Sequence, residues 1–119
     1  MGTLLLGENA FPFVSSGSLD RIGLMANQQE VRRTVYRYRG HVQGVGFRVN
    51  AIQQARGLQV VGFVRNEPDG DVLMDVQGPR KEVEELAKRV QSSMNLKINE
   101  VLIDQRDPLP DREGFKIRY

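Results

Sequence analysis

TVYRYRGHVQGVGFRVNAIQQARG, residues 34–57, changes its period in the middle. Up to Val42 the side chains alternate. Thr34, Tyr36, Tyr38, Gly40 and Val42 fall on one side, and Arg33, Val35, Arg37, Arg39 and His41 on the other, the period of a strand with one polar face. From Arg48 to Arg56 the alternation is gone and Val49, Ile52 and Ala55/Arg56 recur at three-residue intervals. Gly57 then stands where a left-handed residue ends a helix. A strand therefore runs into a helix through Gly40–Arg48.

The pattern stays legible outward from this unit. Gln59-Val60-Val61-Gly62-Phe63-Val64-Arg65-Asn66 is β-rich, Glu67-Pro68-Asp69-Gly70 has turn chemistry, and Val72 to Gln77 completes a hairpin. Pro79 sits near the first turn of a second helix, where its missing N–H costs nothing. Val83, Leu86, Ala87, Val90 and Met94 form that helix's apolar stripe, with Glu84/Lys88 and Glu85/Arg89 four apart on the wet face. Asn99 to Asp104 reads as a strand and Phe115 to Tyr119 as a short last one. The order βαββαβ plus a terminal strand predicts a ferredoxin-like α+β sandwich, two helices on one face of a mainly antiparallel sheet.

Residues 1–30 show no sustained period, and we expect a disordered N-terminal extension there and one folded domain over 31–119. Leu4-Leu5-Leu6 is too short for a signal peptide's apolar region and no Lys or Arg precedes it, while Leu6 stands where a myristoylation motif needs Ser or Thr. Met25 offers an internal start.

Val, Leu, Ile and Phe make up 35 of the 119 residues, enough for a real core in one domain. The absence of cysteine removes thiol catalysis and thiolate metal sites, and a single histidine removes His-cluster sites. The longest apolar runs are too short to span a bilayer. These features predict a cytoplasmic domain that works without metal or thiol. The net charge of +2 is uneven, −2 over residues 1–30 and +4 over the rest, which suits an anionic ligand or a nucleic acid without choosing between them.

Gly40-His41-Val42-Gln43-Gly44-Val45-Gly46-Phe47-Arg48 is where chemistry could sit. Glycines one residue apart allow backbone angles that turn several N–H groups into one hollow, and the following helix adds its own unpaired N–H groups and positive dipole end. Arg48 puts a cation where that dipole disfavours one. An anion in the hollow, clamped by the guanidinium, would explain it, and phosphate fits best. No Gly-Lys pair exists for a Walker A loop, and Val49 replaces the third glycine of GxGxxG. The same glycines would also serve a tight turn with no ligand.

HVQGVGFR, residues 41–48, resembles the signature of the acylphosphatase family, and GFVRNEPDGDV, residues 62–72, is similar to that family's second block. With the closing Phe115-Lys116-Ile117-Arg118-Tyr119, the resemblance runs from about Val35 to Tyr119. It departs at Phe63, where the family commonly has Trp, and in the N-terminal extension. The resemblance implies hydrolysis of the carboxyl–phosphate bond of acyl phosphates to a carboxylate and inorganic phosphate, with no metal or cofactor. It assigns Arg48 to phosphate binding and Asn66 to orienting the attacking water. The main-chain N–H groups of Gln43, Gly44, Val45, Gly46, Phe47 and Arg48 become the phosphate cradle. Such chemistry suits this composition, because a good leaving group needs little proton transfer and positioning with charge neutralisation can supply most of the catalysis.

Other residues offer less. His41 lies on the polar strand face, Asp69 and Asp71 suit turn and strand-start positions better than metal ligation, and Arg33, Arg37 and Arg39 would line a solvated face. That arginine row supports a rival, a nucleic-acid module, since ferredoxin-like sheets stack RNA bases on exposed aromatics. Tyr36 and Tyr38, however, alternate onto the side we assign to the core. A third reading is a regulatory or carbamoyl-phosphate-handling domain like that at the front of hydrogenase maturation proteins, whose larger partner domains are missing here. We therefore expect a monomer acting on a small acyl phosphate, with no nucleic acid and no membrane.

Overall fold

Among the residues that the computed structural model describes, 30–119, the alternation that starts at Val31 becomes an interior strand of the sheet. Seven elements follow one another: β1 (Val31–Gly40), α1 (Phe47–Gln54), β2 (Val61–Asn66), β3 (Val72–Pro79), α2 (Arg80–Ser93), β4 (Ile98–Arg106) and β5 (Phe115–Ile117). The strand order is β4-β1-β3-β2-β5, antiparallel throughout except where β5 lies parallel to β2. Two helices on one face of a mainly antiparallel sheet is the ferredoxin-like arrangement. The expected extension falls almost wholly outside the described residues.

The core lies between helices and sheet. Thr34, Tyr36 and Tyr38 of β1, Val64 of β2 and Val72, Met74 and Val76 of β3 are buried on the helix side. The ring of Tyr38 sits 4.9 Å from that of Phe47. From α2, Val83, Leu86 and Val90 are fully buried, with Ala87 and Met94 packed at the margin, as the stripe predicted. Pro79 stands just before the first helical residue, and the expected Glu85–Arg89 pair closes at 2.9 Å. The α1 stripe differs from expectation. Phe47 and Ala51 are its buried residues, Ile52 and Ala55 flank them, and Val49 is 54% exposed. The helix begins at Phe47, one residue before the expected Arg48, so Phe47 and Ala51 one turn on face the sheet. Arg89 donates to the carbonyl of Gln54 and Asn50 to the hydroxyl of Ser93, both short bonds that clasp the two helices together.

The opposite face of the sheet is held by charge. Arg33, expected to be solvated, makes a forked contact with the buried Asp75, which also accepts from Arg112 at 2.9 Å. Arg37 reaches Glu67, Asp69 and Asp71, and Arg39 shares Asp71. Between β4 and β5 the chain crosses this face. Gln77 exchanges two hydrogen bonds with the backbone of Leu109, and Arg33 donates to the carbonyl of Asp107. Burial pushes the Asp75 carboxyl up, but Arg33 and Arg112 outweigh it and hold the carboxyl below the ordinary value. Phe63, on the same face, is covered by arginines, with the Arg118 guanidinium 3.8 Å from its ring centre. None of the described helices is long and apolar enough to cross a membrane.

Candidate active site

β1 ends at a register shift between Arg39 and Gly40, where the N–H of His41 bonds the carbonyl of Lys97 at 2.9 Å. The chain buries Val42, leaves the sheet and turns into α1. Gly44 and Gly46 carry φ of 76° and 78°, and nothing lies within 4 Å of where a Cβ would stand on either. Their requirement is therefore conformational, a left-handed backbone, and not space. Gly46 caps α1 with backbone alone; no side chain caps the helix and no acid stands in its first turn. Asn50 donates to Gly46 to begin the helical ladder. Among the described residues, no carbonyl or side chain accepts from the N–H groups of residues 43–48.

Arg48 follows in the first turn. Its guanidinium lies 5.1 Å from the ring centre of Tyr119, and among the described residues no carboxylate comes within ion-pair distance of it. The arginines of the opposite face, by contrast, are engaged by acids. Asn66 is the last residue of β2, paired with Val72, half-buried, and in the alternation that puts Val64 on the helix side. Two sets of contacts link the neighbourhoods of Arg48 and Asn66. The Arg118 N–H bonds the carbonyl of Val64, two residues before Asn66, so the chain that carries Tyr119 to Arg48 runs beside the end of β2. On the other side, Gln43 donates through Nε2 to the carbonyls of Glu67 and Asp71, both at 2.8 Å, tying the loop to the turn that starts just after Asn66.

That side-chain tether was not anticipated, and neither was the Tyr119 contact. The turn is itself well held: Glu67 N–H bonds Asp71 carbonyl at 2.8 Å, Gly70 N–H bonds Glu67 carbonyl at 3.1 Å, and Asp69 accepts from the N–H of Asp71 at 3.0 Å. Partial burial pushes the Asp71 carboxyl up, but hydrogen bonds from Arg37 and Arg39 leave it below the ordinary value. Asp69 and Asp71 are thus turn residues engaged by arginine. His41 sits exposed at the strand end, and among the described residues its hydrogen bond is the one from its backbone N–H to Lys97. Tyr36 and Tyr38 are buried under the helices, so they offer no stacking platform.

The acylphosphatase family model matches residues 34–117. An acylphosphatase of Salinibacter ruber is 39% identical over 88 residues, which is 73% of this chain and 93% of that protein. The crystal structure of acylphosphatase from Bacillus subtilis superposes with a TM-score of 0.66 at 25% identity, over 76% of this chain and all of that one. Full-length HypF in its phosphate- and nucleotide-bound form shares the fold alone, with a TM-score of 0.63 at 22% identity over 76% of this chain and 12% of that one. A family match over residues 34–117, and a relative that is spanned over 93% of its length, lead to one assignment: this chain belongs to the acylphosphatase family.

Proposed function

We propose that this chain hydrolyses the carboxyl–phosphate bond of small acyl phosphates, with Arg48 and the N–H groups of residues 43–48 holding the phosphate and Asn66 orienting the water. The observation that carries the proposal is Arg48 itself. A guanidinium without an acid partner among the described residues opens a helix whose N-terminus, with two left-handed glycines before it, offers N–H donors to an anion.

Bound there, the phosphoryl group has its charge neutralised by donors fixed before it arrives. The side-chain oxygen of Asn66 accepts from a water and aims it at phosphorus, opposite the acyl oxygen. The new O–P bond forms as the P–O bond to the acyl group breaks, and the carboxylate leaves with the electron pair. The water's proton passes to a phosphoryl oxygen. A carboxylate is stable enough as a leaving group to need no general acid, which suits a site with no imidazole or thiol. No step calls for a metal, and the carboxylates near the loop, Glu67 and Asp71, are held by Arg37, Arg39 and Arg65. On this reading the working form is a cytoplasmic monomer. Nucleic acid is disfavoured because the arginine row that would attract it is already paired with carboxylates.

Phosphate release from an aryl acyl phosphate, with and without excess chelator, tests the proposal. Equal turnover in both is expected. Absence of hydrolysis, or a loss under chelator restored by Mg²⁺ or Zn²⁺, would overturn it.

A further inference from the structure

We infer that the side chain of Gln43 is a positioning residue that locks the phosphate loop and Asn66 into one rigid unit. This rests on the proposed function and extends it beyond the loop's backbone. The loop leaves the sheet after Val42 and passes through two left-handed glycines; Val45 between them packs against the core, but among the described residues no backbone bond holds the loop to the turn after Asn66. One side chain reaches across. Gln43 Nε2 donates to the carbonyls of Glu67 and Asp71, each at 2.8 Å, and since both partners are acceptors, only the amide nitrogen can face them.

Those carbonyls are the two ends of the turn that follows Asn66. Each already accepts from a backbone donor, Gly70 N–H on Glu67 and Glu67 N–H on Asp71. Without Gln43 neither would be orphaned, so the amide adds little to the fold. What it adds is a fixed relation between the anion-facing N–H groups and the residue that aims the water. The turn it grips is anchored in turn by Arg37 on Glu67, Asp69 and Asp71, by Arg39 on Asp71 and by Arg65 on Glu67. A loop that loses two such bonds spends less time in its binding shape, and apparent affinity falls by that fraction.

Gln43→Leu keeps the volume and removes the donors; Gln43→Glu sets a carboxylate against two carbonyl oxygens and can restore one hydrogen bond when protonated. Binding of inorganic phosphate, titrated directly, reads the loop whether or not acyl phosphates are the substrate. KM and kcat for an aryl acyl phosphate and the melting temperature are measured beside it. For Gln43→Leu, phosphate Kd and KM should rise by about tenfold, as expected from two neutral hydrogen bonds, and kcat should also fall because Asn66 loses its register with the phosphate. The melting temperature should stay within about 8 °C of wild type. Gln43→Glu should match Gln43→Leu at pH 7 and approach wild type, compared at the same pH, as the pH is lowered to 5. Phosphate Kd and KM within twofold of wild type in folded Gln43→Leu would overturn the inference. So would a large fall in melting temperature with no recovery of Gln43→Glu at pH 5, since Gln43 would then serve only the fold. If wild type binds phosphate but hydrolyses no acyl phosphate, the proposed function fails while the titration still decides the role of Gln43.

Discussion

Replacing Arg48 by alanine should separate binding from folding more sharply than any other change in this chain. In the folded molecule Arg48 has no carboxylate partner among the described residues, and its ring contact is to Tyr119, which is 96% exposed. A cation over an exposed ring is worth about 0.5–1 kcal/mol, so the variant should melt within about 8 °C of wild type. Against a bound phosphate the same side chain is set to make two charge-assisted hydrogen bonds, each worth about 1.5–3 kcal/mol. Their loss predicts a phosphate affinity weakened by roughly 10²–10⁴ and turnover abolished. Arg48→Lys should recover little, because an ammonium cannot reproduce the forked pair. Asn66 divides the labour differently. Asn66→Ala should lower kcat by about 10²–10³, the scale of one lost preorganised polar group, and leave the phosphate Kd within about threefold of wild type. Direct titration with inorganic phosphate, with acyl phosphate hydrolysis and melting curves run alongside, measures all three variants. Equal weakening of phosphate by Asn66→Ala and Arg48→Ala would refute the division, and so would a collapse of stability in Arg48→Ala.

Two further expectations concern the fold. Asp75→Asn strips the counter-charge from Arg33 and Arg112, whose side chains are only 15% and 13% exposed, and should cost about 2–4 kcal/mol at neutral pH. Because the folded Asp75 carboxyl is held below its ordinary value, its contribution is full above pH ~4 and fades as pH falls through the folded value. Wild type should therefore lose stability more steeply than Asp75→Asn on acidification below pH ~4, and parallel curves would show that the pairing carries no such linkage. Deletion of residues 1–24, outside the described residues, should leave turnover unchanged and the melting temperature within a few degrees, because that stretch shows no periodic apolar face; a larger fall in a thermal melt would show that it packs on the domain.

Most of the architecture was legible because β1 and α2 carry their periods openly and the β2–β3 hairpin is marked by β-rich runs on either side of a turn, although β3 is buried on both faces. Helix α1 was harder. Phe47 belongs at once to the glycine loop and to the helix's buried side, so the period seemed to start at Val49, which points outward. Strand β4 runs from Ile98 to Arg106, longer than the expected Asn99 to Asp104, because its ends pair through backbone bonds that polar residues make as well as apolar ones. The crossing of the open face near Leu109 was invisible, since Pro108, Pro110 and a left-handed Asp111 carry no period at all. In the site, Arg48 and the paired glycines stood out through a charge in the wrong half of a helix and a spacing that only unusual backbone angles explain. Gln43 could not be read the same way. Its partners are main-chain carbonyls far along the chain, and any residue would have supplied them.

The placement of β1 has a consequence for how fast this molecule comes together. It comes first among the described elements yet lies inside the sheet between β4 and β3, with Val35 facing Asp75 on one side and Asp104 on the other. Both neighbours arrive only after long intervening stretches, so the transition state must close large loops before the centre of the sheet is rewarded. Folding on the slow side of that expected for mixed α/β domains follows, in milliseconds or longer. The loop of residues 41–46 hangs from the end of this same strand and is pinned at His41 to Lys97, just ahead of β4. Recovery of hydrolysis after dilution from denaturant should then keep pace with the pairing of β1 and β4, and lag behind closure of the β2–β3 hairpin.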